Sequence, residues 1–496
     1  MYFTIKIDKD SPEPLQDQLI TQLRQMIVNG NLKPNTQVIA TRFFAEQIDV
    51  SRTTVLLAYE RLISEGYLET RPGIGTFVTT NVPDAKTAAP ESKKRTNLVR
   101  QASLYPPYFQ VNKKLSAPEE NRATRIDFGS FHADPALLPA KAWGQKVQAI
   151  IGHRRLGLAE YPPLAGIDPL KLAIANWLAL HRNIIVSPKQ VIIVAGRQQA
   201  RHLVARPLLQ QNDNVIVEAP CQSDMVHLFQ AMHAHLVPIP VDDQGIRTDL
   251  LPESPARLAY VTPNHQRPLG GTLPLQRREL LIEWARRSGC YIIEDDCDGK
   301  FRYQGLAPPT LASLDAYGLV FHLGTFSKTL GAGLCLGYLV VPEEFIEPVT
   351  TLKTMFSKGC SWLDQTVLAD FISSGDYDHH LRRMRKVYMD RRDCLIDTLR
   401  AAIPTIRLIG AETGSQITCL LPEGAPSAQV IQVAVRKEGI NISTLADDYF
   451  SQQQHLPEDY LQRALILGYS TLHERQIREG ISILSRIIGR YPPLVS

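Results

Sequence analysis

The stretch Val320-Phe321-His322-Leu323-Gly324-Thr325-Phe326-Ser327-Lys328 runs from a short apolar segment directly into a glycine, two hydroxyls and a lysine. Short apolar or β-branched runs of this kind mark strands buried on both faces of a parallel sheet. Six more lie in the same part of the chain: Val191–Val194, Asn214–Val217, Leu236–Val241, Leu258–Val261, Tyr291–Ile293 and Leu336–Val341. Helical stretches separate them, so the region from Arg125 onward reads as an α/β domain with a mostly parallel sheet. In such sheets ligands bind beyond the carboxyl ends of the strands.

Three strand ends carry polar chemistry. Gly196, Arg197 and Gln198 precede a helix expected over Ala200–Leu209, and the first amides of a helix are free to hold a phosphate. Thr325 and Ser327 add hydroxyl donors, and Lys328 offers an amine that can condense with an aldehyde. Asp295, in Glu294-Asp295-Asp296, can pair with a pyridinium nitrogen. Together they suit a phosphorylated pyridine aldehyde. Taken singly, each has a plainer reading: a solvated lysine, or an Asp pair capping a helix. Their order along the chain favours the cofactor.

The first 80 residues read differently. Leu15, Leu19, Leu23, Met26 and Ile27 recur at helical spacing as far as Asn29-Gly30. A second helix is expected over about Thr41–Ile48. A third begins after Ser51, an N-cap, with Val55, Ala58, Tyr59 and Leu62 on one face and its end at Gly66. Strand, turn and strand follow at residues 67–70, 71–75 and 76–78. This is the pattern of a winged helix-turn-helix. Arg52, Thr53 and Thr54, with Ser51, occupy the turn that reaches base edges when such a helix enters the major groove. Arg42 opens the second helix, and Gly73, Gly75 and Thr76 form the wing tip beside the DNA backbone. A helical protein-interaction module with ordinary surface arginines is the alternative on spacing alone.

The 496 residues exceed one ordinary domain, and 44% apolar with 21% charged residues excludes a disordered or fibrous chain. Residues 81–124 hold 8 Lys/Arg against 4 Asp/Glu and five prolines, so they read as a linker. The expected division is therefore 12–80, a linker over 81–124, and 125–496. Seven cysteines form no C-x-x-C pair, which argues against a zinc site or disulfide framework and for reduced thiols in the cytoplasm. No apolar stretch approaches the roughly 20 residues of a membrane span, and residues 1–10 lack a signal peptide's apolar core.

Ser51-Arg52-Thr53-Thr54-Val55, Ala58-Tyr59-Glu60-Arg61-Leu62, Glu65-Gly66-Tyr67-Leu68 and residues 71–78 resemble the DNA-binding domain of GntR-type bacterial regulators. From about residue 126 to 490 the chain resembles class I, fold-type I aminotransferases, on residues 161–166, 196–200, 261–266, 292–296 and 324–330. That pairing resembles the MocR/GabR-type transcription regulators. The resemblance implies a smaller C-terminal α+β subdomain, a head-to-tail homodimer, operator DNA and a small-molecule effector as partners, and pyridoxal 5'-phosphate on Lys328 and Asp295.

Several positions depart from that pattern. The segment Val38-Ile39-Ala40-Thr41-Arg42 lacks the proline and serine that usually precede the second-helix arginine. Cys335 replaces an arginine on the cofactor phosphate, Cys297 a tyrosine on the ring hydroxyl, Gln222 a ring-stacking tyrosine, and Ile466 the arginine that grips a substrate carboxylate. A neutral thiol cannot supply a bidentate, charge-assisted bond. The expectation is thus a dimeric regulator that senses its effector through a weakened cofactor site without transaminating. Arg197 and Arg267 are candidate compensating cations. A working aminotransferase with an appended head, and a cofactor-free regulator, are the alternatives.

Overall fold

The computed structural model describes residues 5–83, 124–129, 132–153, 159–446, 449–450 and 458–490. These fall into two compact units, one holding residues 5–83 and the other the residues from 124 onward. The expected linker lies almost wholly outside the described residues.

In the first unit, α1 (Leu15–Val28), α2 (Thr41–Gln47) and α3 (Arg52–Ser64) precede an antiparallel hairpin of β1 (Leu68–Arg71) and β2 (Gly75–Val78). Leu19, Leu23 and Ile27 of α1 meet Phe44 of α2 and Val55, Ala58 and Leu62 of α3 in one apolar core. The helix pattern of the sequence is the stripe that closes this core. α2 ends one residue earlier than expected, and α3 stops at Ser64, with Gly66 taking a left-handed turn (φ 79°) into the hairpin.

The second unit is built on an eight-stranded sheet. Its strands are β3 (Val191–Val194), β4 (Asn214–Ala219), β5 (His235–Asp242), β6 (Gly245–Ile246), β7 (Leu258–Val261), β8 (Tyr291–Asp295), β9 (Val320–Thr325) and β10 (Gly337–Val340), in spatial order β3-β10-β9-β8-β7-β4-β5-β6. The central strands run parallel, whereas β10 is antiparallel to both its neighbours. Both faces are covered. Val191 and Ile193 pack with Leu170, Ile174 and Leu178 of α4 (Asp168–Arg182), and Ile192 and Val194 pack with Ala200, Leu203 and Val204 of α5 (Arg197–Leu208).

Three boundaries correct the sequence expectation. α5 begins at Arg197, not Ala200, because Gly196 (φ 113°) supplies the turn that lets Arg-Gln-Gln enter the helix. β8 continues through Glu294 and Asp295, and β9 through Thr325. Those polar residues look like strand ends, but each is buried with a partner. Glu294, for example, accepts from the Leu311 and Ala312 amides and lies 3.0 Å from His322 Nδ1.

The smaller subdomain is antiparallel: β11 (Arg407–Ile409), β12 (Gln416–Leu420), β13 (Ser443–Thr444) and β14 (Ala464–Gly468), in order β11-β12-β14-β13. Ile417, Leu465 and Leu467 of this sheet share a core with Leu395 and Leu399 of α6 (Asp376–Ala402) and with Ile477, Ile481 and Leu484 of α7 (Glu474–Gly489).

Candidate functional site

The carboxyl ends of β8 and β9 and the start of α5 meet at a cavity of about 310 Å³. Arg197, Arg267, Thr325, Ser327 and Lys328 line it, with Gln222, Cys297 and His132. β10 approaches β9 closely just ahead of Thr325. A Cβ on Gly337 would lie 2.8 Å from the Gly324 carbonyl oxygen, and one on Gly324 would lie 2.1 Å from Tyr338 Cζ. Only glycines at both positions let the strands close immediately before the turn that bears Lys328.

Lys328 Nζ lies 3.5 Å from Ser415 Oγ and 3.8 Å from Asp298 Oδ1. Burial pushes its ammonium down to about 8, against the pull of Asp298. Arg267, itself buried, places Nη1 3.4 Å from the other oxygen of Asp298. Burial raises the Asp298 carboxyl, yet Lys328 and Arg267 outweigh it and hold it below the ordinary carboxylate range. Thr325 and Ser327 bond each other, Oγ1 to Oγ at 3.0 Å, and the Ser327 amide donates to Thr325 Oγ1.

Asp295 closes β8 behind this cavity. Its Oδ2 accepts from Arg201 Nη2 at 3.1 Å and from the Tyr260 hydroxyl. Its Oδ1 is buried and, among the described residues, has no hydrogen-bond partner. Arg197, the first residue of α5, turns its guanidinium inward: Nη1 lies 3.0 Å from Gln222 Oε1, 3.5 Å from Cys297 Sγ and 3.8 Å from Asp295 Oδ2.

Of the residues singled out in the sequence, Arg197, Thr325, Ser327 and Lys328 therefore share one cavity, and Asp295 stands behind it. Gly196 stands at the N-cap of α5. The side chain of Gln198 does not join them, because its Nε2 donates to Asp224 Oδ2 at 2.8 Å. Cys335 is exposed and brings no cation, and Ile466 is fully buried and presents no polar atom. The residues fit pyridoxal 5'-phosphate in kind: a largely buried, weakly basic amine, hydroxyl donors at a helix start, and an unpartnered acceptor on Asp295 for a ring N–H. Arg201, Tyr260 and Asp298 escaped the sequence reading. Each owes its place to a contact between distant elements, and a buried arginine within the apolar stripe of α5 was the one available signal.

The first unit presents a second candidate surface. Ser51 caps α3, its Oγ accepting from the Thr54 amide at 3.0 Å. Arg52 and Thr53 are exposed beside it. Arg42 is exposed on α2, 3.5 Å from Glu46. At the hairpin tip Gly73 has φ 74°, and a Cβ on Gly75 would lie 2.5 Å from Gln37 Nε2. Gln37 donates to the Ile74 carbonyl at 2.9 Å, so Gly75 also makes room for a contact that braces the wing. Thr76 pairs with Thr70 across it.

Residues 15–78 match the family of bacterial regulatory proteins, gntR family, and residues 132–453 match aminotransferase class I and II. The chain is 33% identical over 481 residues to the probable rhizopine catabolism regulatory protein MocR of Rhizobium meliloti, covering 96% of this chain and 94% of that one. It is 31% identical over 480 residues to the HTH-type transcriptional regulator TauR of Rhodobacter capsulatus, covering 95% and 97%. Among solved structures it is similar to the multiple substrate aminotransferase of Thermococcus profundus, with TM-score 0.69 and 25% identity over 78% of this chain and 98% of that one. Among the described residues no helix is long and apolar enough to cross a membrane.

Proposed function

Because the chain belongs to the MocR-type regulators, which join a gntR-family head to an aminotransferase class I and II body, we propose that it is a homodimeric cytoplasmic regulator in which the body governs how the heads hold operator DNA. The observation that carries this reading is the presence, on one chain, of a capped helix with Arg52 and Thr53 exposed at its first turn and of a cavity lined by a largely buried, weakly basic lysine. In the head, Ser51 fixes the start of α3, Arg52, Thr53 and Thr54 face base edges, and Arg42, Gly73, Gly75 and Thr76 meet the phosphate backbone.

In the body, Lys328, Asp295, Thr325, Ser327 and the first amides of α5 at Gly196, Arg197 and Gln198 would hold pyridoxal 5'-phosphate. When bound, that cofactor supplies an aldehyde that captures amines. Lys328 is the amine this chain offers, and its burial keeps part of it neutral near pH 8. Asp295 Oδ1 would accept the ring N–H, and Arg201 and Tyr260 hold the carboxylate in place from its other oxygen. Ile466 leaves an amino-acid carboxylate without its cation, so the site binds and reports and does not transaminate. A small effector bearing an amino group changes the response only by favouring one arrangement of body and heads over another.

The test is selection of DNA from a random pool by the full chain, followed by gel shifts of the selected sequence with and without amines, and an assay with amino and keto acids. Sequence-specific binding that an amine alters, with no keto-acid exchange, is expected. Turnover of amino acids without selected DNA would establish the aminotransferase alternative.

A further inference from the structure

A pyridine ring that bonds Asp295 through its nitrogen and Lys328 through the carbon opposite must span the space between those two residues. Arg197 lines the same cavity as Lys328, and its Nη1 stands 3.8 Å from Asp295 and 3.5 Å from Cys297. The planar guanidinium is comparable in thickness to an aromatic ring and stacks in the same kind of slot. Gln222 and Cys297, both short, leave the room it fills, and Gln222 Oε1 anchors it at 3.0 Å.

We propose that Arg197 is a built-in occupant of the ring's seat, so that the cofactor binds only by displacing this side chain. This rests on the reading of the pocket as a pyridoxal phosphate site and adds the residue that decides whether the site is loaded. Arg197 is suited to leave. Its nearest hydrogen-bonding partners are an amide and a thiol, which burial pushes up to about 12 and so keeps neutral. Its side chain is 22% exposed, whereas that of Arg201 is fully buried. Arg201, one helical turn further on, is the contrast: fully buried and bonded to Asp295, Asp224 and Tyr260, it cannot leave. When Arg197 swings out, it also removes a cation from beside Asp295, and a protonated ring nitrogen can replace that charge. The exchange conserves the electrostatic balance of the seat, which lets both states be populated.

The experiment titrates the full-length protein with pyridoxal 5'-phosphate and follows the absorbance of lysine-linked cofactor, in the natural chain, Arg197→Ser, Gln222→Ala and Cys335→Arg. Arg197→Ser is expected to bind about tenfold to a hundredfold more tightly than the natural chain, the equivalent of one lost charge-assisted hydrogen-bond set. Gln222→Ala removes the anchor without touching α5 and should shift affinity the same way by a smaller factor. If Arg197→Ser binds no better than the natural chain, or gives no signal, the competition is overturned. If Arg197→Ser fails to fold, an unshifted Gln222→Ala overturns it equally. Binding by Cys335→Arg with a silent Arg197→Ser leaves the cofactor reading standing without the competition. Silence of all the variants overturns both.

Discussion

Arg201 Nη2 lies 3.1 Å from Asp295 Oδ2, and both side chains are fully buried. A charge so placed is costly unless its partner remains, and removing one member of such a pair typically costs about 3–5 kcal/mol. Arg201→Met keeps the volume and removes the charge. It should lower the stability of the body by about that amount in a denaturant melt, whereas Arg206→Met, further along the same helix, should change little. An undiminished midpoint for Arg201→Met would show that Tyr260 alone satisfies the carboxylate.

The start of α2 offers an opposite case. Its N-cap is Ala40, with no side-chain bond to the helix amides, and the chain there is tied down by Tyr59, whose hydroxyl donates to the Ile39 carbonyl at 2.9 Å. Ala40→Ser adds the missing acceptor. We expect the head to gain about 1 kcal/mol, read as a higher unfolding midpoint of the isolated transition.

Arg52 tests the recognition surface. Arg52→Ala should weaken binding of the selected sequence by about 1–3 kcal/mol and leave random DNA less affected. Removing the wing tip at residues 73–75 should weaken both alike, because backbone contacts carry no sequence information. Equal binding of selected and random DNA by Arg52→Ala and the natural chain would remove α3 from the base-reading role.

Lys328 sets a pH dependence. The neutral amine is the form that captures an aldehyde, and burial lowers this lysine to about 8. The capture rate should therefore rise by about tenfold per pH unit on approach to pH 8 and level off above it. An exposed lysine would continue to gain up to about pH 10.4. A stopped-flow pH series on the natural chain separates the two, with Lys328→Ala as the silent control.

The architecture was legible because its strands are short and almost purely apolar, as at Val191–Val194 and Leu258–Val261. Ser51, a capping residue just ahead of a periodic run, located the start of α3 to the residue. Where the reading fell short, the cause was partnership across the chain. Glu294 and Asp295 looked like the end of a strand because a single sequence does not reveal that His322, Arg201 and Tyr260 wait for them in neighbouring elements. In the sequence Arg197 reads as a candidate compensating cation at the start of a helix. That it turns toward Gln222 and Cys297 depends on two substitutions that each look like a simple loss.

The cations of the two sites differ in one respect that reaches beyond geometry: Arg42 and Arg52 of the head stand in solvent, and Arg267 and Lys328 of the cavity are largely shielded by protein. Dissolved ions screen the first kind over about 8 Å at physiological ionic strength and hardly reach the second. Raising the salt should strip the protein from DNA steeply, as counterions reclaim the phosphates, while the chemistry at Lys328 proceeds almost unchanged. Ionic strength thus becomes a means of uncoupling the two halves of the molecule without altering a single residue.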